Sequence, residues 1–309
     1  MLIPPFLQNG DTVGIIAPAY YARPDRWEAA VQMLQSWGLQ VALGKSLHLK
    51  DRIFAGNDAQ RLDDLADMMR RPDVKAVWCA RGGYGAARLL PALNRCSNDF
   101  PPKWLIGYSD ITVLLTYWNQ NLQQLAVHGA MPIDLAEGSP ESPCWEYLRS
   151  TLFGKMPEYR LPTHPLNRQG QATAPVTGGN LSVLCSLNGS PYQCQTAGRI
   201  LFIEEVNESL YHLDRMMNSL RLSGQLAALK GLLVGSMSNM KDATPSFGKT
   251  ASEIIREQAE EYDFPLAFDF PAGHDGANNP IVMGATMKLN VQTDGASIEL
   301  TVDSLSFHK

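Results

Sequence analysis

An alternation of strands and helices in the N-terminal half constrains the fold more than any other feature of this sequence. Short apolar runs at residues 12–17, 39–43, 76–80 and 104–107 are separated by segments in which apolar residues recur at helical spacing. Trp27, Val31, Leu34 and Trp37 show this spacing between the first two runs. Such alternation predicts an α/β domain with a parallel, doubly wound sheet, and sheets of this kind bind ligands beyond the carboxyl ends of their strands.

The second half of the chain predicts a smaller, mixed α/β domain with more β character. We expect helices near residues 180–187, 211–222 and 252–262, strands at 200–206, 231–237 and 266–270, and a closing antiparallel pair at 281–291 and 297–302. Residues 152–177 lack periodicity and contain Pro162, Pro165, Pro175 and Gly170, which is typical of an interdomain crossing. The predicted organisation is an N-terminal α/β domain at 1–155, a linker at 156–177 and a C-terminal domain at 178–309.

Composition excludes several classes of partner. The 309-residue chain is long enough for two domains that each bury a core, and its net charge of −5 comes without a basic run, so we expect neither a nucleic acid nor an anionic membrane as partner. The N-terminus lacks a charged region followed by a long apolar core, and we expect a cytoplasmic protein. The five cysteines form no C-x-x-C pair and no H-E-x-x-H motif occurs, so we expect no metal and no cofactor.

A serine stands in the turn that follows the apolar run at residues 104–107. The strand breaks at Gly107 and a helix restarts near Thr112, which leaves Ser109 in between. A sharp strand-to-helix turn can display a nucleophilic hydroxyl beside the N–H groups of a helix N-terminus. The match to the hydrolase pattern G-x-S-x-G is incomplete, because Ile111 occupies the last glycine position. This motif alone therefore fits either a nucleophile or an ordinary helix cap at Ser109 or Asp110.

A serine nucleophile also needs a base and an acid that orients the base. Glu204 and Glu205 end an apolar run, and strand alternation places them on opposite faces, so at most one of them faces a given site. His274 lies in a turn-rich loop after an apolar strand, and His128 follows a strand end in the same predicted domain as Ser109. The residues alone leave the base open between these two histidines.

A glycine-rich turn, Arg81-Gly-Gly-Tyr-Gly85, follows the apolar run at residues 76–80. It lacks the G-x-G-x-x-G spacing of a dinucleotide site and the lysine of a P-loop. We interpret it as a turn that offers backbone N–H donors, with Arg81 available to bind a carboxylate.

Taken together, several blocks resemble the LD-carboxypeptidases, a family of serine peptidases, over nearly the whole chain. Their order and spacing make the resemblance specific. The blocks are Gly10-Asp-Thr-Val-Gly-Ile-Ile-Ala-Pro18, Phe54-Ala-Gly56, Ala80-Arg-Gly-Gly-Tyr-Gly-Ala86, Gly107-Tyr-Ser-Asp110, Gly178-Gly-Asn-Leu181, Ile203-Glu-Glu-Val-Asn-Glu208, Asp214-Arg-Met216 and Gly273-His274.

The resemblance implies a fold, a catalytic set and a substrate. The N-terminal domain would be flavodoxin-like or glutamine-amidotransferase-like. A triad of Ser109, Glu204 and His274 would span the two domains, with an oxyanion hole formed by the N–H groups of Asp110 and Gly83. The implied substrate is a small cytoplasmic muropeptide, from whose tetrapeptide the enzyme releases the terminal D-Ala after the L-centre of the diamino acid during peptidoglycan recycling. Relatives suggest a homodimer.

Other interpretations stay open. One is an immunity peptidase of the same family that cleaves a microcin-like peptide-nucleotide; such relatives have a longer insertion between the domains than the crossing here. Val176-Thr177 also stand where relatives often have a tryptophan, which leaves the details of the pocket open. From other classes come a non-catalytic two-domain binding protein and a nucleotide-binding oxidoreductase, although the oxidoreductase fingerprint is incomplete.

Overall fold

The computed structural model of the protein describes residues 1–138 and 141–302, which fall into two compact units. Within the described residues, unit 1 contains Met1–Lys155 together with the short segment Asn279–Met283, and unit 2 contains Met156–Asn278 and residues 284–302. Each unit has its own sheet.

The strands and helices follow one another along the chain in a largely alternating order. The strands are β1 (Thr12–Ile16), β2 (Gln40–Leu43), β3 (Val74–Cys79), β4 (Trp104–Gly107), β5 (Ala126–His128), β6 (Glu158–Leu161), β7 (Gly170–Asn180), β8 (Ile200–Val206), β9 (Gly231–Ser238), β10 (Leu266–Ala267), β11 (Ile281–Met283), β12 (Thr286–Gln292) and β13 (Gly295–Thr301). The α-helices are α1 (Glu28–Ser36), α2 (Asp58–Arg70), α3 (Leu90–Cys96), α4 (Thr112–Gln120), α5 (Pro132–Glu137), α6 (Pro143–Leu152), α7 (Leu181–Ser186), α8 (Leu210–Leu222) and α9 (Ala251–Gln258).

The sheet of unit 1 confirms the predicted doubly wound α/β fold. Within the described residues its strand order is β11-β5-β4-β3-β1-β2, and β1 to β5 pair in parallel. This order is that of flavodoxin-like sheets, with the switch point between β1 and β3. All five residues of β1 are buried, as expected for a central strand covered on both faces. The turns that carry Arg81 and Ser109 follow the carboxyl ends of β3 and β4.

The sheet of unit 2 is mixed, as predicted for the C-terminal domain. Its order is β10-β9-β8-β7-β12-β13-β6 in the described part of the chain; β7 to β10 run parallel, and the remaining pairs are antiparallel. A core of apolar residues from α7, α8 and α9 packs with the inner residues of β8 and β9. The four residues of α8 that were predicted to face inward are all buried, namely Leu213, Met216, Met217 and Leu220.

The predicted linker at 156–177 is wrong. Residues 158–161 form β6 and residues 170–180 form β7, and both strands belong to unit 2. The prolines suggested a crossing, but a sheet tolerates proline at an edge or where the pairing changes. Pro175 lies where β7 stops pairing with β12 and starts pairing with β8, and β6 is the edge strand of its sheet.

The first strand of the predicted closing antiparallel pair, at residues 281–291, divides between the two units. β12 and β13 form that pair as predicted. Ile281–Met283 instead forms β11, which adds to the sheet of unit 1 by antiparallel pairing with β5. The predicted C-terminal domain of 178–309 is therefore not continuous, because one short strand of it completes the other sheet. The predicted strand end at Val302 is followed by residues 303–309, which lie outside the described residues.

Candidate functional site

Ser109 occupies a strained turn at the carboxyl end of β4. Its φ is +61°, in the left-handed region that non-glycine residues rarely adopt. A 3-10 turn over Ser109–Ile111 then leads directly into α4. Backbone strain at a serine between a strand and a helix is the geometry of a nucleophile elbow. The structure thus places the predicted nucleophile in the predicted kind of turn.

The missing final glycine of the hydrolase pattern has a local explanation. A Cβ atom on Gly107 would lie 2.9 Å from Cγ2 of Ile111, so the Ile111 side chain packs into the space that Gly107 leaves. Ile111 is fully buried. In this turn, the glycine two residues before the serine is the one that the packing requires.

The glycine turn lies directly against the serine turn. A Cβ atom on Gly82 would stand 3.3 Å from the Ser109 hydroxyl oxygen and 3.1 Å from the Asp110 backbone nitrogen. Gly82 was not singled out by the sequence, although the pair of glycines after Arg81 was a signal of close backbone approach. The next residue, Gly83, has φ +101° and passes close to the Tyr20 ring. The two predicted oxyanion donors, Asp110 and Gly83, therefore lie in adjoining turns.

Arg81 has its guanidinium group over the ring of Tyr20, 5.4 Å from the ring centroid. Its Nε atom is buried and has no hydrogen-bond partner among the residues that the structure describes. A buried guanidinium nitrogen without an acceptor is costly unless a ligand supplies one. This arrangement suits the predicted binding of a carboxylate.

Glu204 and His274 meet in unit 2. Glu204 is fully buried at the carboxyl end of β8, and its Oε2 lies 2.8 Å from Nδ1 of His274. An ionised carboxylate only accepts hydrogen bonds, so the imidazole donates through Nδ1–H and keeps Nε2 as an acceptor. A histidine oriented in this way is prepared to act as a general base.

Backbone features of β8 and of the histidine loop hold this pair in place. The pairing of β8 with β9 shifts register between Ile203 and Glu205, and such an irregularity re-aims the side chain that it contains, here Glu204. Gly273 has φ +140°, and a side chain there would collide with Ser236. The His274 backbone N–H donates to the Ser236 hydroxyl at 3.1 Å. Ser236 was missed by the sequence interpretation, although it is a polar residue near the end of a buried strand.

The Glu205 side chain makes its hydrogen bonds elsewhere in unit 2, at the start of α7. One carboxylate oxygen accepts from the Ser182 backbone N–H at 2.7 Å, and the other accepts from the Asn180 side chain at 3.1 Å and from the Val206 N–H at 2.8 Å. Burial raises the pKa of Glu205, and these hydrogen bonds oppose the rise. Glu205 thus stabilises the N-terminus of α7, which agrees with the prediction that only one glutamate of the pair faces a given site.

His128, the competing base, is the last residue of β5 and is completely buried. It pairs with Ile281 of β11 in the sheet, and its ring packs edge-on against Tyr108 with centroids 5.8 Å apart. The His274 side chain is 19% exposed. Because a base must reach the substrate, the burial of His128 favours His274.

Two features are absent from the part of the chain that the structure describes. No group of three or more histidine, cysteine or carboxylate side chains within 1–138 and 141–302 is arranged to hold a metal ion. In the same ranges, no helix has both the length and the apolar character needed to cross a membrane.

A serine at a strained strand-to-helix turn, and a histidine oriented by a buried glutamate, are the parts that serine hydrolases use. Comparison with known proteins identifies the family. Residues 13–129 match the LD-carboxypeptidase N-terminal domain and residues 173–289 match the LD-carboxypeptidase C-terminal domain. The chain therefore belongs to the LD-carboxypeptidase family, which confirms the resemblance noted in the sequence.

Individual relatives agree with this assignment. The chain is 34% identical to a probable murein peptide carboxypeptidase of Bacillus subtilis, over 97% of this chain and 95% of the relative. It is 31% identical to the murein tetrapeptide carboxypeptidase of Pseudomonas aeruginosa, over 90% of this chain and 92% of the relative. A solved structure of MccF in complex with glutamyl sulfamoyl guanosine shares the fold, with a TM-score of 0.84 at 21% identity over 99% of this chain and 100% of MccF.

Proposed function

We propose that this protein is a serine carboxypeptidase that hydrolyses an L,D-peptide bond and releases the terminal D-Ala of a muropeptide tetrapeptide. The observation that carries the proposal is the 2.8 Å contact between Glu204 and Nδ1 of His274, because it favours the tautomer in which Nε2 can accept a proton. The family assignment supports peptide hydrolysis, and the relatives named for murein peptides support the substrate class.

In the proposed reaction, Ser109 attacks the scissile carbonyl while His274 accepts the hydroxyl proton at Nε2. The N–H groups of Asp110 and Gly83 donate to the oxyanion of the tetrahedral intermediate. His274 then protonates the leaving amine, D-Ala departs, and an acyl-enzyme remains on Ser109. Water attacks this ester with His274 as base again, which releases the shortened peptide and regenerates the serine. Glu204 stays ionised and stabilises the imidazolium in both steps.

Arg81 is the proposed ligand for a substrate carboxylate. Its buried Nε lacks an acceptor in the described structure, and a guanidinium group matches a carboxylate in geometry. The terminal carboxylate of D-Ala is the group that distinguishes a carboxypeptidase substrate from an internal peptide bond. We also propose a cytoplasmic role in peptidoglycan recycling and a homodimeric state, both on the family resemblance; light scattering after size exclusion tests the second.

The test is D-Ala release from a muramyl tetrapeptide by the purified protein, with EDTA present. We expect turnover, no detectable turnover for Ser109→Ala, and at least a thousandfold lower kcat for His274→Ala. His128→Ala serves as the matched histidine control and should retain kcat within about tenfold once corrected for its folded fraction. Full activity of Ser109→Ala would exclude the serine mechanism, and a larger loss in His128→Ala than in His274→Ala would reverse the base assignment.

A second substrate separates the proposal from its alternatives. An aminoacyl sulfamoyl adenosine is the matched probe for an immunity peptidase, and preferential hydrolysis of it would favour that activity. A non-catalytic binding protein would bind the tetrapeptide without turnover, and with equal affinity in wild type and Ser109→Ala.

A further inference from the structure

One peptide group in unit 1 is held on both sides by buried charged residues. The Ala86 N–H donates to Oδ2 of Asp110 at 2.9 Å. The carbonyl of Gly85, which belongs to the same peptide group, accepts from Nη1 of Arg61 at 3.0 Å. Asp110 and Arg61 thus fix the end of the glycine turn from opposite directions.

Arg61 connects this peptide to another loop at the same edge of the sheet. The same Nη1 donates to the carbonyl of Pro18 at 2.6 Å, just after β1. Arg61 is completely buried, and Asp58 forms an ion pair with its other terminal nitrogen. The loops that follow β1 and β3 are therefore joined through one guanidinium group.

Asp110 has two contacts with the glycine turn, one through its backbone and one through its side chain. A Cβ atom on Gly82 would lie 3.1 Å from the Asp110 backbone nitrogen, and the Asp110 carboxylate accepts from the Ala86 N–H, so both ends of residues 82–86 lie close to Asp110. Asp110 is 5% exposed. Burial raises the pKa of Asp110, while the Ala86 N–H and the positive charge of Arg61 oppose the rise.

A buried aspartate and a buried arginine are a poor choice for stability alone. Removing two charges from water costs several kcal/mol per ion, and apolar residues of similar volume often stabilise a fold equally well. In some proteins, buried charged side chains specify a unique local geometry. Here the two side chains bond one peptide group at the end of the glycine turn.

We propose that Asp110 and Arg61 are positioning residues that hold the two oxyanion donors, the N–H groups of Asp110 and Gly83, at the spacing that the tetrahedral intermediate requires. This inference rests on the proposed function, since it assumes that Ser109 is the nucleophile. The Asp110 side chain acts through Ala86 and does not touch the substrate.

The principal test compares Asp110→Ala with Asp110→Asn in the D-Ala release assay. Alanine removes the acceptor for the Ala86 N–H, and we expect kcat to fall about 10- to 100-fold with KM within about threefold. Asparagine keeps a side-chain oxygen that accepts the same N–H, and we expect kcat within about threefold of wild type. A kcat for Asp110→Ala within threefold of wild type, or an equal loss in both variants, would overturn the proposal.

Tyr117→Phe controls for a loss of stability in the same unit. The Tyr117 hydroxyl lies near the end of α4 away from Ser109, 2.7 Å from the Ser97 hydroxyl, and donates to Oδ1 of Asn94 at 3.2 Å. Losing these two hydrogen bonds should cost about 1–3 kcal/mol of unfolding free energy. We expect no change in kcat for this variant. Urea denaturation of every variant gives the folded fraction, so kcat is compared per folded molecule.

A tripeptide boronic acid, which adds to the serine as an anionic tetrahedral adduct, reports on the donors directly. We expect the Ki of the boronic acid to rise in Asp110→Ala by about the same factor by which kcat falls. The Ki of the tripeptide product should stay within about twofold of its wild-type value. A purely structural role would change neither value for the folded protein, and that result would refute positioning.

A double-mutant cycle with Arg61→Lys tests whether the two residues hold the same peptide. Lysine keeps the charge, but its single nitrogen cannot occupy both the Nη1 position, between the carbonyls of Pro18 and Gly85, and the Nη2 position beside Asp58. We expect a loss of about tenfold in kcat for Arg61→Lys, and a combined loss with Asp110→Ala that is smaller than the product of the single losses. Independent, multiplying losses would contradict the shared role. Inactive wild type, or active Ser109→Ala, would instead show that the proposed function itself is wrong.

Discussion

Replacing Glu204 with glutamine should remove most of the catalytic rate while leaving the shape of the site intact. Glu204 is fully buried, and its Oε2 accepts from Nδ1 of His274 at 2.8 Å. The other oxygen, Oε1, has no hydrogen-bond partner among the described residues. A glutamine can therefore place its carbonyl toward His274 and its amide nitrogen at the Oε1 position without displacing another hydrogen bond.

The expected decrease in kcat follows from the attraction between the Glu204 carboxylate and a positively charged His274. Two unit charges about 4 Å apart attract by about 4 kcal/mol at an effective dielectric constant of roughly 20. In the proposed reaction, His274 becomes positive as it accepts the proton of Ser109, so this attraction lowers the barrier. A loss of about 4 kcal/mol corresponds to a decrease of about 10³-fold in kcat. KM should stay within about threefold, because Glu204 does not bind the substrate in the proposed reaction.

The adjacent Glu205→Gln variant is the matched control. Glu205 is also a buried glutamate of β8, but it accepts from the backbone of Ser182 at the start of α7. We expect its kcat within about threefold of wild type, measured as D-Ala release under saturating tetrapeptide. A Glu204→Gln variant with more than a tenth of the wild-type kcat, or a Glu205→Gln variant with the larger loss, would refute the assignment of Glu204.

Three further outcomes follow from the structure. Burial raises the pKa of Glu205 in the folded state above its value of 4.5 in the unfolded chain. Between these two pKa values the folded state binds more protons than the unfolded state. The stability of wild type relative to Glu205→Gln should therefore fall as the pH rises through the folded pKa. Urea titrations at pH 4.5 and 8 measure this, and a pH-independent difference would contradict it. Burial lowers the pKa of Lys103 in the folded state to about 8, from 10.5 in the unfolded chain. Between these two pH values the unfolded state binds more protons than the folded state. The stability of wild type relative to Lys103→Met should therefore rise with pH in that window, by no more than about 3 kcal/mol. A constant difference between pH 7.5 and 10 would exclude the shift. Gly107→Ala places a Cβ 2.9 Å from Ile111, so we expect about 1–3 kcal/mol lower stability by thermal unfolding and reduced D-Ala release, whereas unchanged values would mean that the turn relaxes freely.

Elements with strong local patterns were predicted well. The strand at residues 200–206 matches β8 in full, and the predicted helix at 211–222 matches α8 within one residue. In both cases the burial pattern is set by the element itself, with an unbroken apolar run in the strand and helical spacing of apolar residues in the helix. The parallel sheet of unit 1 followed from the same kind of local information.

Elements that depend on distant partners were predicted poorly. The prolines of residues 156–177 suggested a linker, because nothing in that segment indicates that β12 and β13 would pair with it. Ile281–Met283 was assigned to the closing hairpin, yet it pairs with β5, which lies more than 150 residues earlier in the sequence. Strand pairing is non-local, and the sequence of a short strand does not specify its neighbour.

The residues of the candidate site also divide into those that local patterns indicated and those whose contacts depend on distant parts of the chain. Local patterns predicted that Ser109 lies at the carboxyl end of a buried strand and that a glycine turn follows the neighbouring strand, because periodicity and glycine placement are properties of short segments. Family resemblance then selected Glu204 and His274 from pairs of residues that chemistry could not distinguish. The folded chain was needed to show that Glu204 accepts from His274, that Glu205 accepts from the start of α7, and that Asp110 accepts from Ala86. These contacts join residues far apart in the chain, and their geometry depends on strand register and loop packing that no local pattern encodes.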